Sequence, residues 1–159
     1  MSAALFKEKK LETKTMDNID NISLRAVKQC DMDAIVNLLK SISEFTPARF
    51  DYVDIWDAFR QQTNVYSIVA VIDTQIVGYG SVVIEKKIRG GKIGHIEDIV
   101  SHPFFRNKGI GSAIMFALLD VANTKGCYKV ALQCKEHNVE FYEKCGYQVS
   151  GIAMQLLIK

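Results

Sequence analysis

Residues 106–111 combine the two residue types from which anion-binding loops are built. They read Arg-Asn-Lys-Gly-Ile-Gly and stand between a strand-like run and an amphipathic helical stretch. Glycine lets a backbone approach a ligand closely because it has no Cβ, and the free N–H groups and the dipole of a helix N-terminus favour an anion. The run therefore predicts a pyrophosphate cradle, beside which Arg106 and Lys108 add positive charge.

This loop alone does not separate a binding role from a structural one. A glycine-rich strand-to-helix turn with two solvated basic residues has the same sequence, and the pattern recurs by chance about once in several chains of this length. Two other phosphate-binding motifs are absent, namely Gly-x-x-x-x-Gly-Lys-Ser/Thr and an early Gly-x-Gly-x-x-Gly. The sequence therefore excludes a P-loop and a Rossmann dinucleotide site.

Two adjacent carboxylates, Glu97 and Asp98, interrupt an otherwise apolar strand-like run over residues 92–102. Successive side chains of a regular strand point to opposite faces, so only one of the two would face a given site. A β-bulge, which is common beside active sites, is the exception. Because charged pairs are rare inside apolar strands, we favour a functional pair over a surface charge next to a structural hydrogen-bond acceptor.

Composition limits the class of protein. The chain has 159 residues and a net charge of +2, and 48% of its residues are hydrophobic. A chain of this size and apolar content is expected to form one domain with a sizeable core. Its isoelectric point of 8.3 is below the value above about 9 that is typical of nucleic-acid binders. No apolar run approaches the roughly 18 residues of a membrane span, so we expect neither nucleic-acid nor membrane binding.

The N-terminus and the cysteines indicate an intracellular protein. Residues 1–20 are polar and charged, without the apolar core of a signal peptide, and we expect them to be a flexible lead. The cysteines show no Cys-x-x-Cys spacing, which favours buried, reduced thiols over disulfides or a metal site. They are Cys30, Cys127, Cys134 and Cys145.

Hydrophobic periodicity predicts the elements that position these groups. A helix begins at residue 31, with Asp31 or Asp33 available as N-cap, and an Asp73-Thr74 turn joins two strands into a hairpin. The other predicted helices cover residues 51–61, 109–125 and 137–145, and the predicted strands cover 22–27, 65–72, 75–85, 92–102, 127–134 and 147–158. Helices interrupting a sheet in this way predict a single α/β or α+β domain over residues 21–159.

A second motif gives the loop a family context. Residues 138–147 read Asn-Val-Glu-Phe-Tyr-Glu-Lys-Cys-Gly-Tyr. With the loop at 106–111, in this order and on these elements, they resemble the GCN5-related N-acetyltransferase (GNAT) superfamily. Within it, residues 94–100 (Gly-His-Ile-Glu-Asp-Ile-Val) and 127–130 (Cys-Tyr-Lys-Val) are similar to the glucosamine 6-phosphate N-acetyltransferases. The resemblance runs from about residue 22 to the C-terminus.

The resemblance implies a fold, an activity and a partner. The fold is the GNAT acyl-CoA N-acyltransferase fold, a mixed, mostly antiparallel sheet flanked by helices. The activity is acetyl transfer from acetyl-CoA, without a metal, to the amine of glucosamine 6-phosphate on the route to UDP-N-acetylglucosamine. The family is homodimeric, and a partner chain completes each active site.

The resemblance also assigns roles to residues. Tyr142 is the expected general acid for the departing CoA thiolate, for which a hydroxyl with a reference pKa of about 10 is suited, and Glu97 and Asp98 are the expected catalytic carboxylates. The acyl-CoA residues are Ile99, Val100, Ser101, Arg106, Asn107, Lys108, Gly109, Ile110, Gly111, Ser112, Asn138 and Tyr142. The acceptor residues are Lys87, Ile88, Arg89, Glu97, Asp98, Tyr128, Lys129 and Gln133.

Two departures from the family leave the acceptor open. Gln133 stands where some members carry Asp, and Leu157 stands where the fungal pattern has an arginine for the partner's phosphate, which could shift that role to Lys159 or Lys87. The alternative acceptors are a protein N-terminus and a polyamine, and the alternative class is a non-catalytic CoA-binding module. The basic residues around Lys87, Arg89 and Lys129 favour an anionic acceptor.

Overall fold

The computed structural model describes residues 21–43 and 45–158. The expected flexible lead, residues 1–20, lies outside the described residues, as do Glu44 and Lys159. The elements follow the predicted order except for the last strand. The strands are β1 (Ile22–Ala26), β2 (Val65–Ile72), β3 (Gln75–Lys86), β4 (Lys92–Ser101) and β5 (Lys129–Leu132), and the helices are α1 (Met32–Leu39), α2 (Tyr52–Arg60), α3 (Ile110–Thr124) and α4 (Val139–Lys144).

The strands form one sheet in chain order, β1-β2-β3-β4-β5. The first four are antiparallel to their neighbours, whereas β4 and β5 are parallel. The predicted turn at Asp73-Thr74 joins β2 to β3, and Asp73 has φ +55, a region that aspartate adopts more readily than most residues. Parallel strands need a crossover connection, which α3 provides. The predicted mixed, mostly antiparallel sheet flanked by helices is confirmed.

Helices cover both faces of the sheet. On one face, α3 contributes Ile110, Ile114 and Leu118, none more than 1% exposed, at the i, i+4 spacing of one helix stripe. On the other face, α1 packs Ile35 and Leu38 against residues of β2, β3 and β4. The two hydrophobic clusters fix the sheet between α1 and α3, and with it the loop that precedes α3.

Glycines in β3 set how closely α3 approaches. A Cβ at Gly78 would lie 2.7 Å from side-chain carbons of both Ile110 and Ile114, and one at Gly80 would lie 2.8 Å from Ile114. Carbon atoms normally stay about 3.5–4.0 Å apart, so alanine at either position would push the helix away. Because Gly78 and Gly80 carry no Cβ, the N-terminal part of α3 can pack close against the sheet.

The two parallel strands separate part of the way along β4. Their pairing runs only from Ile93 with Lys129 to Ile96 with Leu132, whereas β4 continues to Ser101. Among the described residues, the backbone of residues 97–101 therefore has no strand neighbour on the β5 side. Here the sheet opens into a V, with an unpaired edge of β4 as one arm.

The strand predicted over residues 147–158 is absent from the described structure. Residues 147–158 form no helix or strand, and six of their apolar side chains are between 66% and 94% exposed. A strand needs a neighbour for its N–H and C=O groups, and no strand of the described chain pairs with this segment. The six are Val149, Ile152, Met154, Leu156, Leu157 and Ile158.

The expectation of buried thiols is only partly met. All four cysteines are free, but only Cys145 is buried, Cys127 and Cys134 are half-buried, and Cys30 is exposed. Cys30 lies in the short 3-10 turn before α1 rather than in an apolar strand. None of the described helices is long and apolar enough to cross a membrane.

A buried ion pair joins β1 to the start of α1. Asp31 is 4% exposed and accepts hydrogen bonds from Arg25 Nη1 at 2.6 Å and Nη2 at 2.9 Å. It also accepts the Lys28 backbone N–H at 2.8 Å. Although Asp31 stands at the N-cap position, its side chain makes no cap bond to α1, because it is engaged with the preceding strand. The Arg25 hydrogen bond, with help from the Lys28 amide, holds the pKa of Asp31 below its usual value despite burial.

We predict that Asp31→Asn lowers the free energy of unfolding by about 2 kcal/mol at pH 7, because Arg25 loses a charged partner. The matched control is Asp33→Asn, since Asp33 pairs with Arg49 while 47% exposed and should contribute less than about 1 kcal/mol. Urea denaturation measures both. Because the folded-state pKa of Asp31 is lowered, its contribution is present at neutral pH and is lost as the pH falls through that pKa, below about 4. Equal stabilities of the two variants would contradict the prediction.

Candidate active site

The loop predicted to bind pyrophosphate leads directly into α3. After the 3-10 turn Pro103–Phe105, the chain passes through two residues in the left-handed region, Asn107 with φ +59 and Gly109 with φ +81. The Ala113 N–H donates to the Gly109 carbonyl at 2.9 Å. The amides of residues 110–112 precede that bond and have no intrahelical acceptor. They form the set of free donors that an anion at a helix N-terminus requires.

The basic residues of the loop are turned toward solvent. Arg106, Asn107 and Lys108 are all exposed, and Lys108 Nζ lies 5.2 Å from the centroid of the Phe105 ring. Neither Arg106 nor Lys108 forms a salt bridge within the part of the chain that the structure describes. Their charge is therefore available to a negatively charged ligand at the helix terminus.

Helix α4 packs against this same end of α3. A Cβ on Gly111 would lie 3.1 Å from Phe141 Cζ, so glycine is needed for the close approach of the two helices. Asn138 is the N-cap residue of α4, and its side chain makes no cap hydrogen bond. The two motifs, separate in sequence, thus come together around the N-terminus of α3.

Tyr142 is half-buried in an aromatic cluster on α4. Its ring centroid lies 4.9 Å from that of Phe141 and 6.2 Å from that of Tyr147, both in edge-to-face geometry. Burial raises the pKa of Tyr142, and the Cys134 and Cys145 thiols add to the rise. The Tyr142 hydroxyl therefore keeps its proton at neutral pH, as a proton donor must.

A β-bulge lies at the predicted catalytic carboxylates. Tyr79 pairs with Val100 and Ser81 with Glu97, so two residues of β4 lie opposite Gly80 alone. Asp98 takes φ +56 there, a conformation that costs a non-glycine residue about 1 kcal/mol or more. The bulge disrupts the strict alternation of side chains along β4. The β-bulge, which was predicted as the one exception to regular alternation at these carboxylates, is therefore present.

The carboxylates are accessible from solvent. Glu97 and Asp98 are both exposed in the single chain, yet the protein around Asp98 removes enough water to raise its pKa. Residues 99–101 follow on the unpaired edge of β4, where the Val100 side chain is buried and Ser101 pairs with Gly78 of β3. Carboxylates and free backbone amides are thus adjacent on one arm of the V.

The cations among the predicted acceptor residues form two contact groups, and the predicted carboxylates Glu97 and Asp98 lie separately at the bulge. In the first group, Arg89 Nη2 donates to Tyr128 Oη at 3.0 Å, and Lys129 Nζ lies 5.9 Å from the Tyr128 ring centroid. Lys129 pairs with Ile93, and Glu97 lies four residues further along β4, which is about 13 Å at the rise of a strand. Within one chain, this group therefore lies at the other end of β5 from the bulge.

In the second group, Lys87 is already neutralised. Its Nζ donates to Glu85 at 2.6 Å, and the other Glu85 oxygen lies 2.7 Å from His95 Nε2. The Lys87 and His95 hydrogen bonds lower the pKa of Glu85. Ile88 at the tip of the hairpin is fully exposed, and Gln133, beyond the end of β5, is also exposed. This arrangement argues against Lys87 as a free cation for a phosphate.

Sequence reasoning missed three polar residues near these groups. Glu85 and His95 are cross-strand neighbours of β3 and β4, and Tyr79 has its hydroxyl near that of Ser67 at 3.4 Å. Alternation along paired strands could have placed Glu85 and His95 on one face, once their register was known. Tyr79 gave no such signal, because a tyrosine in a strand normally contributes to the core. Within residues 21–43 and 45–158, no three His, Cys, Asp or Glu side chains are grouped to hold a metal ion.

Comparison with known proteins agrees with this geometry. Residues 32–147 match the acetyltransferase (GNAT) family. The chain is 34% identical to glucosamine 6-phosphate N-acetyltransferase 1 of Dictyostelium discoideum, over 87% of this chain and 92% of that protein. It is 34% identical to glucosamine 6-phosphate N-acetyltransferase of Trypanosoma brucei brucei, over 89% of this chain and 99% of that protein.

A solved structure gives the same result in three dimensions. The crystal structure of glucosamine-6-phosphate N-acetyltransferase from Arabidopsis thaliana aligns with a TM-score of 0.82 at 31% identity, over 88% of this chain and 100% of that chain. The chain therefore belongs to the GNAT acetyltransferase family. Within that family, it belongs with the glucosamine 6-phosphate N-acetyltransferases.

Proposed function

We propose that this protein transfers the acetyl group of acetyl-CoA to the amine of glucosamine 6-phosphate, giving N-acetylglucosamine 6-phosphate and CoA. The observation that carries the proposal is the V between β4 and β5, where a bulge with two carboxylates adjoins an unpaired backbone edge. The sugar phosphate is the substrate named for relatives that this chain matches over nearly their whole length.

Acetyl-CoA is held by backbone groups more than by side chains. The free amides at the start of α3 bind the pyrophosphate, and Arg106 and Lys108 add charge that salt screens. The pantetheine arm lies along the unpaired edge of β4, residues 99–101, and pairs with it as an extra strand would. A backbone N–H of this edge polarises the thioester carbonyl and stabilises the oxyanion of the tetrahedral intermediate. Asn138 supplies a further contact.

The carboxylates and the tyrosine move the protons. The amine of the sugar reaches the site as an ammonium, and Glu97 or Asp98 accepts its proton. The neutral amine then attacks the thioester carbon, and the C–S bond breaks as the intermediate collapses. The departing thiolate takes the proton of Tyr142, and the tyrosinate recovers a proton from the surplus N–H of the new amide nitrogen, so the proton held by the carboxylate is the one released to solvent. A phenol with a raised pKa keeps its proton at neutral pH, so its hydroxyl is available as a donor to the sulfur as negative charge develops there.

A second copy of the chain completes the site. Within residues 21–43 and 45–158, no strand pairs with the outer edge of β5 or with the segment 147–158, which has six exposed apolar side chains. Beside that edge is a groove between α3 and β5, with Phe116 47% and Leu119 38% exposed. Reciprocal packing of the segment on the partner's sheet would cover both surfaces in one isologous dimer. It would also bring the cations of one chain, Arg89 and Lys129, to the other chain's substrate.

We predict that the protein releases CoA thiol from acetyl-CoA with glucosamine 6-phosphate and much more slowly with glucosamine, because the phosphate supplies binding energy. A thiol-release assay with amino sugars, each with and without the 6-phosphate, measures this. An N-terminal peptide and a polyamine serve as control acceptors. Faster turnover of either control would assign the enzyme another acceptor. Acetyl-CoA binding with no acetylated amine would indicate a CoA-binding module.

We predict that Tyr142→Phe lowers kcat by about a hundredfold, the lower end of the effect of a general acid, while the Kd for acetyl-CoA changes little. The ring and its packing are kept, so the variant tests the hydroxyl alone. The matched control is Tyr66→Phe. The Tyr66 hydroxyl lies away from the site and donates a hydrogen bond to the Thr63 carbonyl over 3.4 Å. Steady-state kinetics and calorimetric titration separate the two quantities. Unchanged turnover would remove Tyr142 from the reaction.

We predict a dimer in solution that charged substitutions in the tail disrupt. Met154→Glu with Leu156→Glu places two charges on side chains that are 94% and 88% exposed in a single chain and that the proposal buries between chains, so the variant should be monomeric and inactive. Gln155→Glu changes the charge between them and is the control. Light scattering coupled to size exclusion measures the mass. An active monomeric wild type would refute the shared site.

A further inference from the structure

A cavity of about 460 Å³ lies between α1, α2 and the bulge of β4. Its walls are the apolar sides of the two helices and the segment between them, with Ile35, Leu39 and Trp56 among the lining residues. Asp98 and Tyr79 also line it. The cavity thus opens onto one of the two proposed catalytic carboxylates from the face opposite α3.

Tyr79 places a hydroxyl group in this mainly apolar environment. The residue is 6% exposed, and its hydroxyl lies 3.4 Å from Ser67 Oγ on the neighbouring strand β2. Ser81, also buried, donates its hydroxyl to the Glu97 carbonyl at 3.4 Å. Burial raises the pKa of Tyr79, and the negative charge of Asp98 adds to the rise. The Tyr79 hydroxyl is therefore a permanent donor at neutral pH.

Few charged or titratable groups lie near Asp98 on this face. Among the described residues that line the cavity, α1, α2 and the connecting segment contribute no titratable group, β3 contributes Tyr79, and β4 contributes Asp98 itself. Glu97 is its neighbour in the chain. No described salt bridge involves Asp98. A carboxylate that must accept a proton with one fixed orientation needs a hydrogen-bond donor. Ser43, Thr46 and Trp56 also line the cavity with donor groups, but they lie on α2 and the segment between the helices, whereas Tyr79 is on β3, the strand paired with β4 at the bulge.

We infer that Tyr79 is a positioning residue for acetyl transfer, whose hydroxyl donates a hydrogen bond to the Asp98 carboxylate across the cavity, directly or through one water. Ser67 holds the Tyr79 hydroxyl in place. The bond favours the ionised carboxylate and leaves one oxygen to face the amine. In the reaction the ammonium proton passes to Asp98, while Tyr79 keeps its own proton. This inference rests on the proposed function, because Asp98 is taken as the base.

The register of the sheet supports this role. The bulge begins where Tyr79 pairs with Val100 and ends where Ser81 pairs with Glu97, so Tyr79 and Ser81 bracket the only residue opposite Asp98. Both side chains of this bracket lie on the face away from α3, since Gly80 between them contacts α3 and successive residues alternate. The backbone pairs on both sides of the bulge, Tyr79 with Val100 and Ser81 with Glu97, therefore limit how far Asp98 can move relative to Tyr79.

The test is Tyr79→Phe, which keeps the ring in the cluster with α1 and removes only the donor. We expect kcat to fall about tenfold, the effect of one hydrogen bond to a charged group, and KM for acetyl-CoA to remain unchanged. The acidic limb of the kcat/KM profile should move to higher pH, because Asp98 without its donor holds its proton more tightly. Packing alone would not move that limb. Ser67→Ala should move it in the same direction by less, and Tyr66→Phe should not move it.

The outcomes separate this inference from the proposed function. If the wild type acetylates glucosamine 6-phosphate and the acidic limb of Tyr79→Phe coincides with that of the wild type, the inference is wrong and the function stands. If the wild type acetylates no amine, the proposed function is wrong. The Asp98 carboxyl is then titrated by carbon NMR in both proteins, where equal pKa values overturn the inference. Should Tyr79→Phe fail to fold, the same comparison with Ser67→Ala decides.

Discussion

The separation of β4 from β5 is the constraint on which the rest of the structure depends. Parallel pairing stops at Ile96, and a bulge follows within two residues. A sheet that loses a neighbour exposes a row of amides and carbonyls, which is costly unless a ligand or another chain pairs with them. The unpaired edge is stable because α3 on one face and α1 on the other hold β4 rigidly in place. The open V is thus a product of strong packing around it.

Much of the fold could be predicted from the sequence, because helices and hairpins are encoded by neighbouring residues. The helix over α3 and the hairpin of β2 and β3 have strong periodicities and clear end signals at Asp73 and Gly126. The segment 147–158 has equally strong β-forming residues, but it forms no strand. Its alternation indicated a strand and gave no information on which chain would pair with it. Whether a segment pairs as a strand depends on which other strand lies beside it, and the sequence of the segment does not specify that strand.

The candidate site divides along a similar line. The loop at 106–111 and the helix carrying Tyr142 were predictable because glycine and helix-start signals are local. The grouping of the basic residues was not, since Lys87 pairs with Glu85, whose other carboxylate oxygen contacts His95 on the neighbouring strand. Arg89 instead approaches Tyr128, which is 39 residues away. Register between strands decides which residues of neighbouring strands meet, as Glu85 meets His95, and the sequence carries no direct signal of that register.

The exposed tail has a consequence for the life of a newly made chain. If the proposed dimer forms, a chain that has not yet met a second copy exposes the apolar side chains of residues 149–158 and the outer edge of β5. Exposed apolar side chains and unpaired strand edges are features that chaperones and proteases select. The interval before encounter shortens as the number of copies rises. The amount of folded protein in a cell should therefore grow more steeply than its rate of synthesis.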